Sequence, residues 1–462
     1  MLRLYDTRLR EVVDIVPVKP GILSIYACGP TVYKPQHVGN LRSSLFPDLI
    51  GRVASWHGLQ VRFVQNITDV GHLDEESGED KMIAEAQRRG LSPLEIAREI
   101  EALFKADGEA LGYRPAMAHP RATEYVPQMI AMTEKLIELG HAYESGGSVW
   151  YDARSFDSYG EVSNNRIDEL DAGASGRLSS EEESLKRFHA DWALWRGVGF
   201  TDEAVTFDSP WGRGVPGWHI ECSAMSLDLL GDAIDIHTGG IDLRFPHHED
   251  ERAQSNPVAG KDVIHHWVHG EHLLSDGKKM AKSTGNVVLL SDVVERGLDP
   301  LAVRLFFLTA HYRTQSNLTW KALEDADKRL QVLRRKVAEW AESPSAPVAD
   351  AYVERVVAAF DDDLSTPAAL AALSELVRDP AVSPGSKFET AVKLDRLFGL
   401  DLMRHVGQPP PALPAGAREK LAERETARAA KDFATSDRLR DELAAVGVKV
   451  ADTPDGQAWT LA

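Results

Sequence analysis

The sequence predicts an α/β protein: a parallel sheet that carries an insertion, then a helical region, then a small C-terminal module. Three observations carry this. An apolar, β-prone run, Ile22-Leu23-Ser24-Ile25-Tyr26, leads through a glycine-bearing loop into a helical stretch at 41–50, and a second such run, Val61-Arg62-Phe63-Val64-Gln65-Asn66-Ile67, follows. That is a βαβ unit, whose strands must be parallel and whose ligand crevice lies at the strand C-terminal ends. From Pro300 onward apolar residues recur with period 3.6. A proline-rich stretch, Gln408-Pro409-Pro410-Pro411-Ala412-Leu413-Pro414-Ala415-Gly416, then separates the last residues from the rest.

In chain order, the loop after the first strand reads Cys28-Gly29-Pro30-Thr31-Val32-Tyr33 and then His37-Val38-Gly39-Asn40. A strand, a glycine loop and a helix start bring backbone N–H groups and a positive dipole end to the mouth of the sheet, where an anion such as a triphosphate fits. His37 and Asn40 can donate to phosphate oxygens, and Cys28 offers a thiol to the same crevice. Taken alone, the segment is also compatible with an ordinary βα turn around a buried cysteine. The second strand ends at Thr68-Asp69. Residues 80–140 are helical by pattern, and Ser92 with Glu95 has capping-box spacing.

An insertion is expected over about 115–205, with short strands near Ser148-Val149-Trp150-Tyr151. The tract 168–187, which includes Ser179-Ser180-Glu181-Glu182-Glu183, has too few apolar residues to pack and reads as a mobile loop. The chain is expected to return to the sheet between Ser209 and about Pro257. There Ala233-Ile234-Asp235-Ile236-His237 reads as a strand ending at Gly239-Gly240, and Cys222 follows a run that reads as a strand or strand end. Residues 264–274 read as one more strand. Leu301, Leu305, Leu308, Leu330, Leu333 and Val337 mark buried helix faces, and 343–347 is a linker or turn. The last module holds a basic helix pair with Arg418, Lys420, Arg424, Arg428, Lys431, Arg438 and Arg440, then a hairpin-like end with Trp459.

The formal net charge is −19, so any nucleic-acid partner must meet a local basic patch, not the protein as a whole. No apolar run approaches the ~18 residues of a membrane span, and the first residues lack the apolar core of a signal peptide. Two cysteines far apart argue against a disulfide framework and fit a reducing, cytoplasmic setting in which thiolates are free to bind metal.

Far downstream, Ser275-Asp276-Gly277 precedes Lys279-Met280-Ala281-Lys282-Ser283, and Thr284-Gly285-Asn286 follows. A His-x-Gly-Asn loop and a Lys-Met-x-Lys-Ser loop in one chain resemble the two signatures of class I aminoacyl-tRNA synthetases. Cys28-Gly29-Pro30-Thr31-Val32-Tyr33, Gly217-Trp218-His219-Ile220-Glu221-Cys222-Ser223-Ala224-Met225 and Phe245-Pro246-His247-His248-Glu249 narrow this to a resemblance to the cysteinyl-tRNA synthetase family. The resemblance runs from about residue 2 to the C-terminus. It implies a Rossmann-type catalytic domain over 1–275, a signature-loop and stem-contact region over 276–342, a helical bundle over 343–407 and an anticodon-recognition module over 417–462. It implies ATP-dependent ligation of L-cysteine to tRNA(Cys) through cysteinyl adenylate, with Mg2+ accompanying ATP. A monomer is expected.

The resemblance assigns Cys28, Cys222, His247 and Glu251 to one zinc ion. Thiolate, imidazole and carboxylate suit that cation, and His247 and Glu251 share a face if a helix begins at Pro246. By residue chemistry alone, His248, Glu249 and Asp250 compete with them, and a purely structural zinc is the alternative. A zinc that takes the substrate thiol selects cysteine without editing, since a site built for one contact can reject analogues by about 10⁴–10⁵. His37, Asn40, Lys279 and Lys282 are the expected catalytic residues. Pro30, Gly39, Gly239, Gly240 and Asp242 complete an ATP site. Thr68 and Trp218, with Cys28 and Gly29, are expected near cysteine. Gly277 and Gly285 flank the signature loop and permit its motion. Arg428, Lys431, Arg438 and Trp459 are expected to meet tRNA. Three departures stand out: Ala281 where the family pattern usually has Ser, Val70-Gly71-His72 where it commonly has aspartates and a lysine after the valine, and Thr238 where Gly is frequent. The rival readings are a mycothiol-type ligase joining cysteine to an amino sugar and a catalytically silent tRNA- or nucleotide-binding paralogue. Roles for His219, His237 and His248 stay open.

Overall fold

Four parallel strands form the central sheet of the computed structural model, in the order Ile264–Gly270, Ile234–Gly240, Ile22–Ala27, Gln60–Gln65. The structure describes residues 1–70, 81–167, 180–198, 205–280, 285–408, 413–453 and 456–461. Both inner strands are almost wholly buried, as expected of a parallel sheet covered by helices on each face. The buried carboxylate of Asp235 is satisfied locally: it accepts from Ser24 Oγ at 2.6 Å, Ser24 N at 2.7 Å and Val18 N at 2.6 Å. That pairing locks the two middle strands together, because a buried carboxylate without donors is expensive.

The stretch after the signature loop is two helices, Val38–Ser43 and Leu45–Trp56, broken at Ser44. The capping box at Ser92 forms as expected, with Glu95 N donating to Ser92 Oγ at 3.3 Å and Ser92 N to Glu95 at 2.8 Å. The inserted segment builds an antiparallel sheet of Ala142–Ser145, Ser148–Tyr151, Trp192–Gly197 and Gly214–Pro216. The segment from Ser209 therefore closes this second sheet before the chain returns to the parallel one.

Three expectations need correction. Cys222 lies in a helix, Trp218–Leu230, not a strand. Gly217 caps it with extended backbone while its N–H stays tied to Leu194 O at 2.9 Å. The polar tract at 168–187 is not all loose: Ser180–Glu183 is helical, and Glu182 is buried against Arg196 at 2.7 Å. A tertiary partner supplies what composition lacked; residues 168–179 lie outside the described residues. The run 264–274 is not one strand, because Leu273–Ser275 joins Lys278–Lys279 and Ser316–Leu318 in a separate small sheet.

Beyond residue 300 the chain is helical: Pro300–Leu308, Trp320–Trp340, Asp350–Asp361, Thr366–Arg378 and Pro384–Phe398. Leu301, Leu305, Leu308, Leu330, Leu333 and Val337 are all buried, as their period required. Buried Arg304 ties this half to the sheet half. It donates to Asp48 Oδ2 at 2.7 Å, Phe398 O at 2.6 Å and Leu111 O at 3.2 Å. The final module packs Ala417–Ala429 against Phe433–Ala445 and a hairpin, Val448–Thr453 with Gly456–Leu461. Among the described residues no helix is long and apolar enough to cross a membrane.

Candidate active site

The two loops at the C-terminal ends of the strands Ile22–Ala27 and Gln60–Gln65 are zipped together. Thr68 N donates to Pro30 O and Val32 N to Thr68 O, each at 3.1 Å, and Gly29 N donates to Asn66 Oδ1 at 2.8 Å. Gly29 passes so close to the other loop that a Cβ there would collide with Asn66 O. His37 caps the first helix: its Nδ1 accepts from Asn40 N at 3.1 Å. An Nδ1 used as acceptor places the neutral ring's proton on Nε2. Burial and the neighbouring Lys34 and Lys279 charges hold the His37 pKa down at about 4. His37 is thus a neutral donor at physiological pH.

The downstream signature loop folds back onto this one. Val38 N donates to Val288 O at 2.9 Å, and Met280 Sδ lies 3.5 Å from where a Cβ on Gly39 would stand. Lys279 is exposed at the end of a two-residue strand, and Asn286 Nδ2 donates to both Ser275 O and Lys279 O at 3.1 Å, tying the loop's two ends. Gly277 and Gly285 both adopt positive φ, 77° and 64°. Lys282 and Ala281 lie outside the described residues, as does the Gly71-His72 departure. Asn40 and Asp242 are exposed, and Gly239 and Gly240 end the strand Ile234–Gly240.

Next to these loops is a cluster in which Cys28 is half-buried and the other members are buried. Cys28, Cys222, His247 and Glu251 place one ligand atom each within 4.8 Å of one another; Cys28 and Glu251 do so equally with His237 and His248. The two thiols are 3.7 Å apart. Trp218 and Cys222 share a helix face, and the Trp218 ring lies 4.5 Å from that of His247. The helix His247–Ala259 starts after Pro246, so His247 and Glu251 come together, with His247 Nε2 3.0 Å from Glu251 Oε1. Burial opposes ionisation of Cys222, but its hydrogen bond with Cys28 and the adjacent His247 outweigh that and bring the thiol to about 6. Burial, reinforced by Cys222, pushes Cys28 well up.

The two candidate sets share Cys28 and Glu251. His247 Nε2 is buried and faces Glu251 Oε1 at 3.0 Å; burial opposes its charge, but Cys222 and Glu251 outweigh that and raise the ring to about 10. His237 pairs Nε2 with Glu251 Oε2 at 2.9 Å and Nδ1 with Tyr26 O at 3.2 Å. His248 sits 3.4 Å from Cys28 Sγ and 2.8 Å from His269, which reaches Thr7 Oγ1 at 2.8 Å. His219 Nδ1 lies 2.7 Å from His247 Nδ1. These histidines surround the Cys28, Cys222, His247 and Glu251 set, the place that outer partners take around a metal site. Sequence reasoning left Asn66, Glu221 and His269 unassigned. Their common signal is a polar residue at a strand end or in the first helical turn, at the mouth of the sheet. The competitors Glu249 and Asp250 are engaged elsewhere, by Ser163 N at 2.8 Å and Tyr159 Oη at 2.6 Å.

In the C-terminal module several basic residues pair with acidic ones of the same module. Arg424 is buried on Asp452 at 3.0 Å, Arg428 meets Asp452 at 3.1 Å, and Arg438 meets Glu442 at 2.6 Å. Lys431 sits between the helices at φ 59°. Trp459 lies against the helix Trp320–Trp340: Arg335 stacks on its ring at 4.7 Å and donates to its carbonyl at 3.0 Å. The module is docked, not isolated.

Residues 14–328 match the class I (C) catalytic domain of tRNA synthetases, and residues 410–459 match the cysteinyl-tRNA ligase anticodon binding domain. The chain is 41% identical over 483 residues to a cysteine–tRNA ligase of Symbiobacterium thermophilum, with all of both chains covered. The chain belongs to the cysteine–tRNA ligase family. One such ligase from Thermus thermophilus is 41% identical over 484 residues, covering 100% of this chain and 99% of its own. Another, from Streptococcus pneumoniae, is 38% identical over 470 residues with full coverage of both. The class I synthetase fold recurs in methionyl-tRNA synthetase of Mycobacterium tuberculosis, bound to methionyl-adenylate. The TM-score is 0.56 at 17% identity, over 83% of this chain and 91% of that one.

Proposed function

We infer that the protein activates L-cysteine with ATP and transfers the cysteinyl group to the 3′ end of tRNA(Cys). The observation that carries this is the Cys28, Cys222, His247 and Glu251 cluster, whose half-buried Cys28 stands on the loop that leads to His37. These four side chains would hold zinc, which when bound supplies a soft Lewis acid that prefers the substrate thiol to a hydroxyl. The remaining work belongs to the chain. Gly29 and Trp218 shape the cysteine pocket beside Thr68. The cysteine carboxylate attacks the α-phosphorus of ATP in line, and pyrophosphate departs with its Mg2+.

His37 donates through neutral Nε2, and Asn40 adds a second donor, to phosphate oxygens that gain charge as the bond breaks. Lys279 and Lys282 bring positive charge to the same oxygens from a loop hinged at Gly277 and Gly285. Pro30, Gly39, Gly239 and Gly240 let ATP lie close to the backbone, and exposed Asp242 takes a ribose hydroxyl. The tRNA 3′-terminal hydroxyl then attacks the activated carbonyl and AMP leaves. The division into 1–275, 276–342, 343–407 and 417–462 separates activation from tRNA reading. Arg428, Lys431 and Arg438 offer phosphate contacts at the far end. A match to an anticodon-binding domain leaves the amino-sugar ligase reading without support. Function as a monomer in the cytoplasm, where ATP, tRNA and reduced cysteine coexist, completes the proposal.

ATP–pyrophosphate exchange measured with each of the twenty amino acids tests this. Exchange should depend on cysteine alone and disappear on zinc chelation. Exchange absent with cysteine, or equally strong with serine, sinks the reading.

A further inference from the structure

Glu221 is wholly buried in the first turn of the helix Trp218–Leu230, beside Thr68, and has no part in the chemistry above. Thr68 Oγ1 donates its proton to Glu221 Oε2 at 2.9 Å. Asn66 Nδ2 donates to the same Thr68 Oγ1 at 3.3 Å. The orientation of that amide follows from its other end, since Asn66 Oδ1 accepts from Gly29 N at 2.8 Å. A hydroxyl has one proton and two lone pairs. Here the proton and one lone pair are spent inside the protein, so one lone pair is left and Thr68 can act only as an acceptor.

We propose that Glu221 is a positioning residue that fixes Thr68 as an acceptor for the α-ammonium of the amino-acid substrate. This rests on the cysteine-activating function argued above. Free cysteine carries two donor groups, its thiol and its ammonium, and the thiol is claimed by the Cys28, Cys222, His247 and Glu251 cluster. The ammonium is the donor left for Thr68. Two details agree. Thr68 belongs to the loop that pairs with Pro30 and Val32, so its hydroxyl is held at the pocket wall by backbone bonds on both sides. Glu221 Oε1 is buried with no hydrogen-bond partner. The Glu221 carboxyl thus has one hydrogen-bonded oxygen, the one that faces Thr68, and no other hydrogen bond among the described residues competes for it. An apolar residue of similar size would pack as well but would free the Thr68 proton to turn towards the substrate. A donor would then face a cation.

The test is exchange kinetics on the full-length protein, with zinc content measured for every variant and wild-type cysteine-dependent exchange as the control on the activity itself. Glu221→Met should raise the KM for cysteine about 10–100-fold, the range of one hydrogen bond to a charged group. The KM for ATP and the zinc content should stay unchanged. Glu221→Gln, whose amide oxygen can accept the Thr68 proton, should return KM to within about threefold of wild type. The inhibition constant of 3-mercaptopropionate, which keeps thiol and carboxylate but lacks the amine, should move less than about twofold in either variant, because it makes no such bond. In a Thr68→Val background, Glu221→Met should add nothing further. Should Glu221→Met not fold, Thr68→Val compared with Thr68→Ser tests the same bond. Val should lose cysteine but not the amine-free analogue, and Ser should keep both. Equal weakening of cysteine and the analogue, an undiminished Glu221→Met effect without the Thr68 hydroxyl, or failure of Glu221→Gln to restore binding would each overturn the proposal.

Discussion

At the scale of single residues, the activation site works by fixing which atom donates and which accepts. His37 is the clearest case. The N-cap bond from Asn40 N occupies Nδ1, so in the neutral ring only Nε2 carries a proton, the one the proposed role needs. Burial and two lysines keep the ring neutral down to about pH 4. The sign follows directly. An unfolded chain protonates this histidine near its ordinary value, whereas the folded one does not until about 4. His37 therefore withdraws stability as pH falls through that window, and its charge does not change above it. The rate of cysteine-dependent exchange should show no inflection from His37 between about pH 5.5 and 8, well above its folded-state value. His37→Asn should lower the rate about 10²–10³-fold, the usual loss for one preorganised donor to developing negative charge. A pH profile compared between wild type and variant checks both. An inflection near the ordinary histidine value of about 6.5 in the wild type that vanishes in the variant would mean that the ring works as an acid.

At the scale of elements, what matters is how closely backbones approach. The loop at Gly29 and the loop at Asn66 lie against each other with no space for a side chain. Gly29→Ala must push the two loops apart and should cost about 1–3 kcal/mol or more, as overpacking does, with loss of exchange activity. Gly108 is the internal comparison. It sits within the helix Pro93–Ala110, and a Cβ there would meet only Tyr113 at 3.7 Å. Gly108→Ala should stabilise by about 0.5–1 kcal/mol through helix propensity, with activity unchanged. Thermal melts of the two alanine variants, run with the exchange assay, should move in opposite directions.

At the scale of the whole molecule, the catalytic domain and the anticodon-binding domain lie at opposite ends of the chain, and arginines join the parts. Arg304 anchors the helices to Asp48, just behind the signature loop, and Arg335 carries the last module on Trp459. A chain ending at Gln408 lacks that module but retains every residue assigned to activation. It should keep exchange within about twofold and lose most tRNA charging, since the phosphate contacts proposed for Arg428, Lys431 and Arg438 go with the module. Charging by the intact protein should fall with rising salt, because phosphate contacts release counterions. If the shortened chain charges tRNA as well as the intact one, the basic pairs at Arg428 and Arg438 do not serve tRNA.

Much of this was legible in the residue order. Strand runs at 22–26 and 61–67, the capping box at Ser92, the helix faces from Leu301 to Val337 and the meeting of His247 with Glu251 follow from local patterns of period 2, 3.6 and four. The signature loops and the Cys28, Cys222, His247 and Glu251 set were legible through their resemblance to a family. Other features needed the third dimension. Glu182 packs because Arg196, from another strand, reaches it. Cys222 enters on a helix because Gly217 and Leu194 are bonded across the inserted sheet. Trp459 meets Arg335, which comes from a helix more than a hundred residues earlier. Asn66, Thr68 and Glu221 acquire fixed donor and acceptor roles only when two loops and a helix end converge. Local propensity and periodicity act between neighbours in the chain. Partnering of buried charges and the direction of a proton depend on groups that meet only in the folded protein.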